Sequence, residues 1–214
     1  MALRDSFEIG PLKTREDPPQ ARARQRANTI LRAAAEFLRT HAVNELTTTL
    51  IAEEASIPVS SVYRYFPTVD LIVDELYLQV TEQIDAKLFE VLLDTETHTD
   101  WRTRLGAVMD VVREYFNLHP YYRKLLQAIL IRTGGLALDI AKQDSITLHL
   151  AEYWGAGGDN FKGGDPMITA QITMQVFLSV ESILVSQAAE EMADSYFEAL
   201  KLNLESYLAN FLSD

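Results

Sequence analysis

Between Pro58 and Pro67 the chain carries Ser60, Ser61, Tyr63, Arg64 and Tyr65, which bring hydroxyls, phenols and a guanidinium close together. Hydroxyls and phenols can donate to phosphate oxygens, and a guanidinium can either pair with a guanine edge or sit on a phosphate. Thr47, Thr48 and Thr49 stand just upstream. They suit a helix cap, at an end where backbone amides also favour an anion. No other group of residues offers comparable chemistry. His41, His98, His119 and His149 show no HExxH spacing and no close ligand pairing. No serine sits in a G-x-S-x-G elbow. Gly155-Ala156-Gly157-Gly158 follows a helical pattern and lacks the third spaced glycine of a nucleotide loop, so it reads as a flexible connection. The residues thus speak against an enzyme, and neither a cofactor nor a metal is expected.

Residues 47–66 must position those side chains, and they read as two short helices broken by a tight turn. The first, 47–55, begins on the threonines and carries Leu50, Ile51 and Ala55. Ser56, Ile57 and Pro58 interrupt it, because Pro58 biases Ile57 away from helical angles and itself suits a first helical position. The second, 59–66, turns Val62 and Phe66 inward, four residues apart, and leaves the polar set outward. A short polar helix held this way is what a helix-turn-helix offers the major groove of DNA.

Ile51-Ala52, Ala55, Ile57 and Val62-Tyr63-Arg64-Tyr65-Phe66-Pro67 together resemble the DNA-binding signature of the TetR family of bacterial transcriptional regulators. The resemblance spans roughly residues 22–76; beyond it the chain is similar to the family in length and helical character. Ser56 stands where the turn usually has Gly, Pro58 where Ser usually caps the recognition helix, and Val69 where a phosphate-touching lysine is common. The resemblance implies phosphate contacts by Tyr63 and Tyr65; from spacing alone, either ring could instead pack on the first helix. The candidate DNA-binding set is Arg24, Thr47, Thr48, Thr49, Val59, Ser60, Ser61, Tyr63, Arg64 and Tyr65. Val59 or the serine Cβ groups could meet a thymine methyl. Arg22, Arg24 and Arg26 either follow the DNA backbone or simply begin a solvated helix.

The formal net charge of −12 by itself opposes DNA binding, but it is unevenly spread. Residues 1–66 hold nine Lys and Arg against eight Asp and Glu, whereas residues 67–214 hold ten against twenty-three. The acidic excess lies beyond the helix-turn-helix, where it need not oppose phosphate and should weaken non-specific binding. The absence of cysteine excludes disulfides and thiol catalysis and fits a reducing cytoplasm. No signal peptide is expected. Residues 166–189 contain one charge, Glu181, yet too many Thr, Gln and Ser for a lone membrane span.

The expected fold is all-α with about nine helices. A mobile arm (1–21) precedes the helix-turn-helix domain (22–68), and a larger helical domain (69–214) follows. The pattern predicts helices near 22–41, 69–93, 101–118, 121–132, 136–154, 166–192 and 194–212 besides the two short ones. The last two are apolar over more than one stripe, and the surplus points to a two-fold homodimer seam built from Ile172, Val176, Val180, Leu184, Leu200, Leu204 and Leu208. The family resemblance implies a pocket for a small-molecule effector, for which Met109, Tyr115, Phe116, Tyr122, Trp154, Met174, Phe177 and Glu181 are candidates. Without it, aromatic and Met side chains at helical spacing read as core. The expected partners are an operator in double-stranded DNA, a second copy of the chain and an effector, with no membrane. The rival readings are a helical enzyme acting through Glu181 and a protein-interaction module that does not bind DNA.

Overall fold

A computed structural model describes residues 18–133, 136–184 and 192–213. Among the described residues the regular elements are all helical. They are α1 Pro18–Thr40, α2 Thr48–Glu54, α3 Val59–Tyr65, α4 Val69–Leu93, α5 Trp101–Leu118, α6 Pro120–Thr133, α7 Leu136–Gly155, α8 Pro166–Leu184 and α9 Ala193–Leu208. Short 3-10 turns lie at Val43–Glu45 and Gly158–Asn160. The chain forms two compact units, Met1–Val80 and Thr81–Asp214, so the division falls within α4 rather than before it. None of the described helices is long and apolar enough to cross a membrane.

In the first unit, α1 starts at Pro18, four residues before the predicted Arg22. Proline's fixed φ suits the first turn, and the N–H it lacks has no partner there in any helix. Ile30, Leu31, Ala34 and Leu38 recur on one face of α1 and are buried. α1 packs on α2, and α2 on α3. Ile51, Ala52 and Val62 close this small core. Thr68 caps α4 as its position predicts, its hydroxyl accepting the Leu71 amide at 3.3 Å.

In the second unit, Asp100 caps α5 by accepting the Thr103 amide at 2.9 Å. The Thr103 hydroxyl and amide together hold the Asp100 carboxyl below its ordinary pKa of 3.8. α7 packs on α8, α8 on α9 and α9 on α5. Phe116 meets Tyr122 and Phe197 edge-on, with ring centroids 5.3 and 6.3 Å apart. Tyr115 also packs on Tyr122, at 6.0 Å. These are core rings.

Several predicted roles change accordingly. Tyr115, Phe116 and Tyr122 are buried among each other, because α5 and α6 turn them toward a common aromatic cluster instead of toward open space. Leu200, Leu204 and Leu208 are also buried within the chain itself, at 3%, 1% and 4% exposure. They form the stripe by which α9 packs on α5 and α8, so they cannot supply an exposed seam. The leucine of α9 that faces outward is Leu202, 67% exposed. The side chains of Val180, Glu181 and Leu184, and residues 1–17 of the predicted arm, lie outside the described residues.

Candidate nucleic-acid interface

The turn between α2 and α3 is built from backbone bonds. The Ala55 amide reaches the Ile51 carbonyl at 2.9 Å, Ser56 reaches Glu53 at 3.0 Å, and Ile57 reaches Ala52 at 2.9 Å. Closing it requires Ser56 to take φ 52°, a left-handed conformation that a Cβ disfavours. Pro58 follows with φ −60° and ψ 140°, so it stands just before α3 as an extended cap and not, as predicted, inside the first turn. It has no side chain to cap with. Its carbonyl accepts the Ser61 amide at 2.8 Å and starts the helix.

α3 buries Val62 completely and keeps Phe66 half-buried, which fixes its orientation. Ser60, Tyr63 and Arg64, at positions i, i+3 and i+4, are exposed together on the opposite face. Val59, Ser61 and Tyr65 flank that face and are half-buried. The Thr48 hydroxyl donates to the Tyr63 phenolic oxygen at 3.0 Å, tying the start of α2 to the outer face of α3. Thr48 is itself only 8% exposed, so it orients Tyr63 and is badly placed to reach a ligand alone. Thr47 spends its hydroxyl on the Leu50 amide at 3.2 Å, while Thr49 is exposed. The Arg64 guanidinium lies over the Tyr65 ring, 5.5 Å from its centroid. Arg24 is half-buried on α1.

The second unit holds a partly open cavity of about 80 Å³. Of the eight predicted lining residues, Met109, Trp154, Met174 and Phe177 reach it. Pattern reading missed Trp101, Arg104 and Asp159, which also line it. A signal for Arg104 was present: Trp101, Arg104, Leu105, Val108, Met109 and Val112 follow one inward helical stripe, and a cation on such a stripe needs a buried partner. That partner is Asp159, with which Arg104 forms an ion pair whose side chains are 5% and 9% exposed. Arg104 also donates to the His98 carbonyl at 2.7 Å, and Trp154 Nε1 donates to Asp159 at 3.1 Å. No group of His, Asp and Glu among the described residues could hold a metal ion.

Residues 30–76 match the family model of bacterial regulatory proteins of the tetR family. The chain carries a TetR-family domain. The matched segment runs from the buried part of α1, through α2 and α3, into α4. A likeness of fold to solved structures extends well beyond that segment. A transcriptional regulator from Cytophaga hutchinsonii superposes with a TM-score of 0.65 at 15% identity, covering 87% of this chain and 98% of that one. A TetR-family transcriptional regulator from Streptomyces coelicolor superposes with a TM-score of 0.57 at 20% identity, covering 89% and 99%. At such identities the likeness is one of fold. No curated protein is significantly similar in sequence to this chain. Domain and fold together support DNA-binding transcriptional regulation.

Proposed function

We propose that this TetR-type chain is a ligand-responsive repressor that binds a palindromic operator as a homodimer. The observation that carries the reading is the joint exposure of Ser60, Tyr63 and Arg64 on α3, anchored from behind by Val62 and from the side by Thr48. Ser60, Ser61, Val59 and Arg64 face base edges. Tyr63 accepts from Thr48 and so keeps its own O–H proton for a phosphate oxygen. Tyr65, Thr47, Thr49 and Arg24 flank the backbone path.

Two recognition helices are needed to read both half-sites. The row Ile168, Ile172, Gln175, Ser179 and Ile183 on α8, with Ser195, Ala199, Leu202 and Ser206 on α9, is exposed at helical spacing. These rows, with Val176 at the edge, replace the buried leucines of α9 as the seam between copies. An isologous pair of α8 and α9 would bury them in a four-helix bundle.

The effector occupies the cavity of the second unit. α4 contributes Ile72 and Leu76 to the DNA-binding unit's core and Leu88 and Leu92 to the cavity wall. A ligand that favours one conformer of this helix by about 1–3 kcal/mol shifts the population away from the operator-bound spacing. Mobility shift with fragments spanning the gene's own promoter tests the reading. A specific, salt-sensitive band supports it; no band in excess of that on scrambled DNA at any salt concentration refutes it.

A further inference from the structure

We propose that the cavity of the second unit takes an uncharged, mainly apolar molecule with a hydrogen-bond acceptor such as a carbonyl, to which the indole N–H of Trp101 donates. The inference rests on the effector reading above and narrows its chemistry. Most of the wall is aliphatic or aromatic, with Leu88, Leu105, Val108, Met109, Phe177 and Leu204 among its residues.

The polar groups on this wall are already engaged, with one exception. Arg104 and Asp159 neutralise each other, and each holds a further bond, to the His98 carbonyl and from Trp154 Nε1. An anionic or cationic ligand would have to break this pair or remain uncompensated against a mainly apolar wall, and both are costly. The Thr173 hydroxyl donates to the Thr169 carbonyl at 2.8 Å. Trp101 differs. It is 3% exposed, and its Nε1 is buried without a hydrogen-bond partner. Among the described cavity-lining residues it is the one with such an atom. A buried N–H left unsatisfied destabilises the empty site, and a ligand acceptor recovers that loss.

Charge selection and the indole contact are tested separately on the full chain without DNA. 2-Decanone, decanoate and decylammonium are titrated by calorimetry and by intrinsic fluorescence, since both tryptophans, Trp101 and Trp154, line the cavity. 2-Decanone should bind once per chain, at least about tenfold tighter than either ion. Trp101→Phe should weaken 2-decanone about five- to tenfold and leave butylbenzene, which has no acceptor, unchanged. Tighter binding of either ion, no binding of 2-decanone, or equal 2-decanone affinity in Trp101→Phe would overturn the proposal. Should Trp101→Phe bind neither neutral probe, the wild-type comparison of charges decides alone. A specific DNA complex with no 2-decanone binding sinks only this inference; 2-decanone binding with no specific DNA complex sinks the repressor reading instead.

Discussion

Arg104→Met should unfold the second unit far more easily than its single changed side chain suggests. Methionine fills most of the arginine's apolar stem volume, so packing loss is small. The loss is electrostatic: Asp159, 9% exposed, would keep the Trp154 indole at 3.1 Å but no cation. Removing one partner of a buried ion pair costs about 3–5 kcal/mol. With a urea dependence of about 2 kcal/mol per molar, the unfolding midpoint should fall by roughly 1.5–2.5 M. Trp154 bonds the pair and Trp101 lines the same cavity, so equilibrium fluorescence in urea reads this unit directly. Adding Asp159→Asn removes the orphaned charge, and asparagine tolerates the φ of 53° at that position. The double variant should recover at least about half of the loss, a coupling a double-mutant cycle resolves. A single variant within about 1 kcal/mol of wild type would show that the pair contributes little. A double variant as unstable as the single would show that charge is not the cause.

Other substitutions address separate elements. Ser56→Gly removes the Cβ from a left-handed residue and should raise the thermal midpoint of the first unit, by about 0.5–1 kcal/mol after the added unfolded-state entropy; an unchanged or lower midpoint contradicts the strain. Gly158→Ala places a Cβ 2.5 Å from the Tyr153 ring, so urea unfolding should show a loss of about 1–3 kcal/mol. The Asp100 carboxyl, held low first by the Thr103 hydroxyl, stabilises the fold above its unfolded pKa and loses that contribution as pH falls through the lower folded value. Asp100→Asn should therefore flatten the acid limb of stability against pH, measured by thermal melts between pH 2 and 6. Tyr63→Phe should weaken all DNA complexes alike, whereas Arg64→Ala should also narrow the gap between operator and scrambled DNA in titrations by fluorescence anisotropy.

The α2–α3 region was the most legible in sequence because local rules govern it. The threonine start, the Ser56-Ile57-Pro58 break and the inward Val62 follow from capping, proline geometry and helical spacing within about twenty residues. The Thr48–Tyr63 bond joins residues fifteen apart across the turn and was not readable from either helix alone. The second unit yielded its helices but not its assignments. Leu200, Leu204 and Leu208 look the same in sequence whether their stripe faces a partner or the chain's own α5 and α8; only packing separates the two. Tyr115 and Met109 likewise share α5, yet one joins an aromatic core and the other borders the cavity. Asp159 was hidden by its loop: nothing local marks a carboxylate in a glycine-rich connection as the counter-ion of a helix distant in sequence.

In the proposed regulator α3 reads duplex DNA from two paired copies. Its most direct test is titration of a labelled fragment from the gene's own promoter, with scrambled DNA of equal length as competitor and mass measured on the complex. The expected result is a complex holding an even number of chains, preferred over scrambled DNA by about a thousandfold or more, and loss of that preference in Ser60→Ala/Arg64→Ala with stability unchanged. Equal affinity for both DNAs, or a specific complex that the double substitution leaves intact, would contradict it.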